Sequence, residues 1–136
     1  MQIVLLLTFG LPICVADFNR HIIPNRTLLA FAASIGALLI FKHTFMGHVE
    51  FAIKTLLCVA IFQWITAGVM GLGDAKYLVL LALLVGNSSI FSRGLIFSIC
   101  GAGVIALIYF LIRQSINIDI PLAPAFTLGF VLAFVL

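Results

Sequence analysis

Gly68-Val69-Met70-Gly71-Leu72-Gly73-Asp74-Ala75-Lys76 is the stretch on which the reading of this chain turns. It is a glycine-punctuated break carrying one carboxylate and one ammonium, set between two apolar segments long enough to enter a bilayer. A charge at membrane depth is expensive, and an ionisable residue there marks a functional site by default, so a partner has to be sought. The candidate is Asp17, which ends the first apolar segment.

Composition sets the environment. Of 136 residues, 65% are hydrophobic and only 8% charged, and the mean hydropathy is +1.37. Soluble domains carry about 25% charged residues, so a soluble core is excluded and residues 1–136 read as one integral membrane domain. The net charge of +3 is scattered. No basic run or aromatic platform suggests nucleic acid, and a few cations beside anionic lipid account for the basic balance. Cys14, Cys58 and Cys100 fall in three separate segments without a Cys-x-x-Cys pair, so they read as small packing residues rather than a zinc site or disulfide framework. Met1 to Ala16 lacks the positive start of a signal peptide and reads as a retained first helix.

Six apolar segments follow: Met1–Ala16, Thr27–Phe41, Phe51–Val69, Ala75–Phe91, Gly94–Ile112 and Pro121–Leu136. They predict an all-α polytopic bundle of about six transmembrane helices. A span needs about 20 residues, so the first is extended through Arg20 and the fourth is started at Asp74. Both aspartates then occupy helix ends at interface depth. With alternating spans, the exits of helices one and three open on the same membrane face. Arg20, Arg26, Lys76 and Arg113 lie on that face, against Lys42, Lys54 and Arg93 on the other, which places the aspartates on the cytoplasmic side.

Other features receive structural readings. His43, His48 and Glu50 match no familiar metal-ligand spacing and read as a solvated connecting loop. His21 reads as an interfacial polar residue, and Trp64 as lipid- or bundle-facing. Small residues at helical spacing, Ala32/Gly36 and Ser98/Ala102/Ala106, allow helices to approach closely in lipid. Pro24 and Pro121 mark helix boundaries, and Asn25 is placed to cap helix two.

Two carboxylates in a poorly hydrated site can share one proton, the ionised member taking a proton from water while the neutral member donates to a substrate carbonyl. Asp74 begins a helix, where the dipole favours its anion; Asp17 ends one, where it does not. This assigns Asp74 as the resting base and Asp17 as the resting acid. Gly68, Gly71 and Gly73 permit a non-helical approach to the site that side chains would block, or serve packing or a simple interhelical turn. Lys76 is placed either to steady the acids or to snorkel towards lipid phosphate. The same acids would also serve a proton relay in a small transporter or channel, and that reading stands as the alternative. Neither requires a metal or cofactor.

Three stretches together resemble the type IV prepilin peptidases. Asp17-Phe18-Asn19-Arg20-His21-Ile22-Ile23-Pro24-Asn25 looks like the family's acid followed by a basic stretch and Ile-Pro-Asn. Gly71-Leu72-Gly73-Asp74-Ala75-Lys76 matches Gly-x-Gly-Asp-x-Lys. Pro121-Leu122-Ala123-Pro124-Ala125-Phe126-Thr127-Leu128-Gly129 is similar to the last-helix Pro-x-x-Pro-x-x-x-x-Gly. The resemblance implies Asp17 and Asp74 as the catalytic pair, with Gly71, Gly73 and Lys76 as supporting motif. It implies cleavage of a short basic leader from prepilins or pseudopilins at the cytoplasmic boundary of a prokaryotic inner membrane, as in the minimal peptidases of Tad/Flp systems. The added segment with paired cysteines found in methyltransferase-bearing members is not matched. Asp119, in the last connection, is a rival second acid that reads as interfacial on topology.

Overall fold

The computed structural model describes residues 1–20, 22–66, 70–113 and 122–136. His21, Gly68, Asp119 and Pro121, singled out above, lie outside the described residues. All regular structure is helical: α1 (Gln2–Arg20), α2 (Asn25–Phe41), α3 (Phe45–Ile65), α4 (Leu72–Val85), α5 (Ser88–Arg113) and α6 (Leu122–Val135). Helices α1, α3 and α5 are long and apolar enough to cross a membrane, whereas α2 and α6 are shorter apolar helices.

The helices are apolar almost all round, so which side faces inward is set by side-chain size and polarity rather than by a simple amphipathic pattern. On α1, Leu6, Gly10, Ile13 and Asp17 recur at helical spacing and are buried, while Val4, Leu7, Leu11, Val15 and Phe18 project outward. The outward stripe suits lipid. The inward stripe packs on α6 and α2, where Leu6, Ile13, Phe31, Ile35, Tyr77, Leu81 and Phe130 form the core. Phe31 links the stacked Phe9 ring, at 5.4 Å, to the Tyr77 ring at 6.3 Å.

Helix α4 is the central element. It packs against α2, α3, α5 and α6, and buries Ala75, Tyr77, Leu78, Leu81, Ala82, Leu84 and Val85. Its 14 residues span about 21 Å, short of the ~30 Å hydrocarbon core. Its last carbonyls therefore end among other helices, where water is not at hand to satisfy them. The chain supplies donors instead. The Gln2 side chain donates Nε2–H to the Leu84 carbonyl at 2.7 Å, and His48 Nδ1 lies 2.9 Å from the Leu83 carbonyl, a contact that requires its Nδ1–H form.

This resets two boundaries. The fourth segment, expected to run to Phe91, stops at Val85 because Gly86 adopts the left-handed conformation (φ 60°) that ends a helix. Any Cβ there would strike the His48 ring. Asn87 Oδ1 then accepts the Ser89 amide at 2.8 Å and the Ile90 amide at 3.3 Å, starting α5 six residues before the expected Gly94. The connection around His43 to Glu50 is likewise shorter than expected, since α3 begins at Phe45. His48 and Glu50 are helical. Glu50 pairs with Lys54 one turn on, at 2.6 Å. Among the described residues no group of His, Cys, Asp and Glu is arranged to hold a metal ion.

Small residues set the closest helix approach. A Cβ at Gly129 on α6 would meet Ser98 Oγ, lie 2.5 Å from the Ser98 backbone nitrogen and 2.8 Å from the Gly94 carbonyl oxygen. Because two of these are backbone atoms, α5 and α6 would have to separate. Gly129→Ala is expected to destabilise the protein by about 1–3 kcal/mol, read as a lower unfolding midpoint in detergent. Gly103→Ala, whose added methyl meets nothing within 4 Å, should leave that midpoint in place.

Candidate active site

Asp17 lies in the last turn of α1 and Asp74 is the third residue of α4. Both line one cavity of about 290 Å³, together with Ile22, Ile23, Asn25, Gly71, Leu72, Gly73 and Lys76. The structure thus brings together Asp17, Asp74, Gly71, Gly73 and Lys76 around one cavity.

Each wall of the cavity has a local cause. Gln63 on α3 donates to the Met70 carbonyl at 2.7 Å, fixing the chain just before the glycine motif. The Ala75 amide then closes the first helical turn on the Gly71 carbonyl at 3.0 Å. Gly71 has φ −58° and ψ 138°, a conformation open to any residue. The glycines at 71 and 73 are required by space rather than by unusual backbone angles. A Cβ on Gly71 would stand 3.0 Å from Asp74 Oδ2, and one on Gly73 would stand 3.2 Å from Ile23 Cβ. Gly71 leaves room for the carboxylate, and Gly73 lets the chain between α1 and α2 close over α4.

Lys76 does not pair with either acid. Its ammonium donates to Asn25 Oδ1 at 3.2 Å, tying the first turns of α4 and α2 together at the cavity rim. Asn25 is consequently not the cap of α2. Pro24 occupies that position without a side-chain cap, and Asn25 is the first helical residue. The Thr27 hydroxyl donates to the Pro24 carbonyl at 2.7 Å.

The aspartates are served unequally. Asp17 is buried (6% exposed), and its Oδ2 accepts the Ala123 backbone N–H at 3.0 Å. Asp74 Oδ1 is buried with no hydrogen-bond partner among the described residues. The dipole argument gave Asp74 the resting charge, but a dipole at a helix start contributes about 0.3–1 kcal/mol. Leaving a buried acceptor without a donor costs about 1–3 kcal/mol, and more for a charged group. Hydrogen bonding thus runs against helix polarity: Asp17 has a donor, and Asp74 Oδ1 has none among the described residues.

Below the acids lies a polar cluster that the sequence did not disclose. Thr127 Oγ1 on α6 contacts the Tyr77 hydroxyl at 2.8 Å, Cys14 Sγ at 3.1 Å and the Ala123 carbonyl at 2.9 Å. Tyr77 and Thr127 are buried, and Cys14 is half-buried. Cys14 is one turn from Asp17 and Tyr77 one turn from Asp74. The i, i+3 spacing from each aspartate was visible in the sequence, but cysteine, tyrosine and threonine are ordinary in an apolar helix.

A second cavity, of about 660 Å³, opens between α2, α3 and α4 and shares Asn25, Leu72 and Lys76 with the aspartate cavity. It is lined chiefly by apolar side chains, Leu28, Leu56, Val59 and Leu80 among them, with small Ala32, Ala60 and Ala75 contributed by the three helices.

No curated protein and no solved structure matches this chain. The model of the type IV leader peptidase family, in contrast, matches residues 4–112, a span that contains both aspartates and the glycine motif between α3 and α4. A peptidase embedded in the membrane by several apolar helices, this chain belongs to the type IV leader peptidase family.

Proposed function

We propose that the protein is an aspartic endopeptidase that removes the leader from prepilins or pseudopilins, with Asp17 and Asp74 as the catalytic pair. The observation that carries this reading is the shared cavity, to which two distant parts of the chain each deliver one carboxylate. The resting proton is assigned to Asp74, whose Oδ1 has no donor, and the resting charge to Asp17, whose Oδ2 has one. Ionised Asp17 takes a proton from water as the water oxygen attacks the scissile carbonyl carbon, and Asp74 gives its proton to the carbonyl oxygen. Collapse of the tetrahedral adduct breaks the C–N bond as the leaving nitrogen takes the proton from Asp17 and an adduct hydroxyl returns one to Asp74, restoring both acids. Residues 1–136 act as one catalytic domain in this reading, at the cytoplasmic face of a prokaryotic inner membrane.

Substrate access fits the cavities. An apolar substrate helix would lie in the crevice between α2, α3 and α4, where Ala32, Ala60 and Ala75 allow close approach. Its backbone must leave the helix to reach the acids, and freed N–H and C=O groups at membrane depth need partners. Asn25, Gln63 and Lys76, the polar members of the crevice lining, stand where such groups can be met.

Asp17→Asn and Asp74→Asn should each abolish leader cleavage in membranes, while Asp119→Asn should retain most of it. The measurement is the N-terminal mass of a co-expressed prepilin. Accumulation of processed prepilin with either of the first two variants would end the protease reading, and a loss of proton flux with cleavage intact would favour a relay.

Gly71→Ala adds a methyl at 3.0 Å from Asp74 Oδ2 and should displace that carboxylate. Because a misplacement of about 1 Å can cost ~10²-fold and a few tenths of an ångström suffice here, kcat should fall by roughly 2- to 10-fold. The unfolding midpoint should change little, because Gly71 is exposed.

A further inference from the structure

We infer that Thr127 is a positioning residue that sets the separation of the two aspartates, with Tyr77 and Cys14 as the arms through which it holds their helices; the inference rests on the proposed function of that pair. The helices that carry the acids pack more on α6 than on each other, and α6 and α2 both bridge them, so a residue on α6 is placed to help fix their separation. Thr127 is suited to this by proton count. A hydroxyl has one hydrogen and two lone pairs. Its hydrogen goes to the Ala123 carbonyl, four residues back on its own helix, at 2.9 Å. The Tyr77 hydroxyl at 2.8 Å and the Cys14 thiol at 3.1 Å must then be donors into the two lone pairs. One oxygen thereby receives one donor from α1, a turn below Asp17, and one from α4, a turn below Asp74.

The same hydroxyl reaches Asp17 by a second route. Ala123 is the second residue of α6, so its N–H has no partner within the helix. That N–H goes to Asp17 Oδ2, and the carbonyl of the same residue is held by Thr127. The next residue, Pro124, has no N–H to compete for the carboxylate. Close contact is enforced one turn deeper on α1, where a Cβ on Gly10 would lie 2.7 Å from Thr127 Cγ2 and 3.2 Å from the Tyr77 hydroxyl. Valine has the same shape, so what Thr127 adds beyond shape is the oxygen that meets the buried Tyr77 hydroxyl and the Cys14 thiol.

Thr127→Val and Tyr77→Phe keep shape and remove one hydroxyl each. For cleavage of a co-reconstituted prepilin, each should lower kcat by about 10- to 100-fold, with KM changed less than about threefold, because the bound substrate is still met by the unchanged crevice. Thr127→Ser restores the hydroxyl without the methyl and should recover most of kcat. A fall in the unfolding midpoint with kcat of the folded fraction unchanged, or no recovery with Thr127→Ser, would overturn the inference.

A second arm needs no catalysis. In a Cys14→Ser, Cys58→Ala, Cys100→Ala background, Asp17→Cys combined with Asp74→Cys reports how often the two positions meet, through the rate of disulfide formation. Thr127→Val should slow that rate several-fold, and equal rates would overturn the positioning role. If the unaltered chain cleaves no prepilin while this difference is seen, the proposed function fails and the positioning role stands.

Discussion

A carboxylate inside a bundle with an apolar exterior has to obtain its hydrogen-bond donors from the chain itself, and the Ala123 N–H to Asp17 contact meets that demand. The donor is available because α6 begins at Leu122 and the first amides of a helix are unpaired. Moving that start by one turn would leave Asp17 buried without a partner and Ala123 bonded within its own helix. The position of α6 is therefore tied to the chemistry of α1. The anchoring of α6 on α5 through Gly129 and Ser98 becomes part of the site although it lies well below it.

The second constraint is the shortness of α4. A helix of 14 residues within the bundle exposes unsatisfied backbone at both ends, and each end is tied to a different neighbour. Gln2 and His48 take the closing carbonyls, while Gln63 and the Lys76–Asn25 pair fix the opening turn. With both ends held, Asp74 has little freedom to slide along the helix axis, which suits an acid that must meet a partner from another helix. The residues that do this holding are polar side chains spread from position 2 to position 76: Gln2, His48 and Gln63 each meet a backbone carbonyl, whereas Lys76 and Asn25 meet each other.

Much of the fold could be read from residue order alone. Six helices, the extension of α1 to Arg20 and the convergence of Asp17 and Asp74 all follow from apolar runs and alternating spans. The break after the fourth helix was misplaced because Leu-Val-Gly-Asn-Ser-Ser-Ile-Phe reads as continuous hydropathy unless Gly86 is given its left-handed role. His48 looked like a loop residue because its partner, the Leu83 carbonyl, carries no side-chain signature. Gly71 and Gly73 were read as positions where a side chain would be in the way, and the structure names what it would meet. Their backbone is ordinary, and the reason for glycine is the nearness of Asp74 Oδ2 and Ile23.

The unequal hydrogen bonding of the two aspartates shows the same limit in sharper form. Helix polarity can be read from sequence and favours charge on Asp74, but it acts weakly and over the whole first turn. The proposed assignment of charge to Asp17 rests instead on one amide, and every residue except proline has an amide. The family match ends at residue 112, before α6 begins, so it contains both acids and omits the group that distinguishes them. What marks α6 as the distinguishing element is positional: a helix start with Pro124 next to Ala123, and a hydroxyl four residues on from that alanine to hold its carbonyl. Sequence similarity records side chains, whereas this site separates two identical side chains by where the backbone leaves an N–H unpaired.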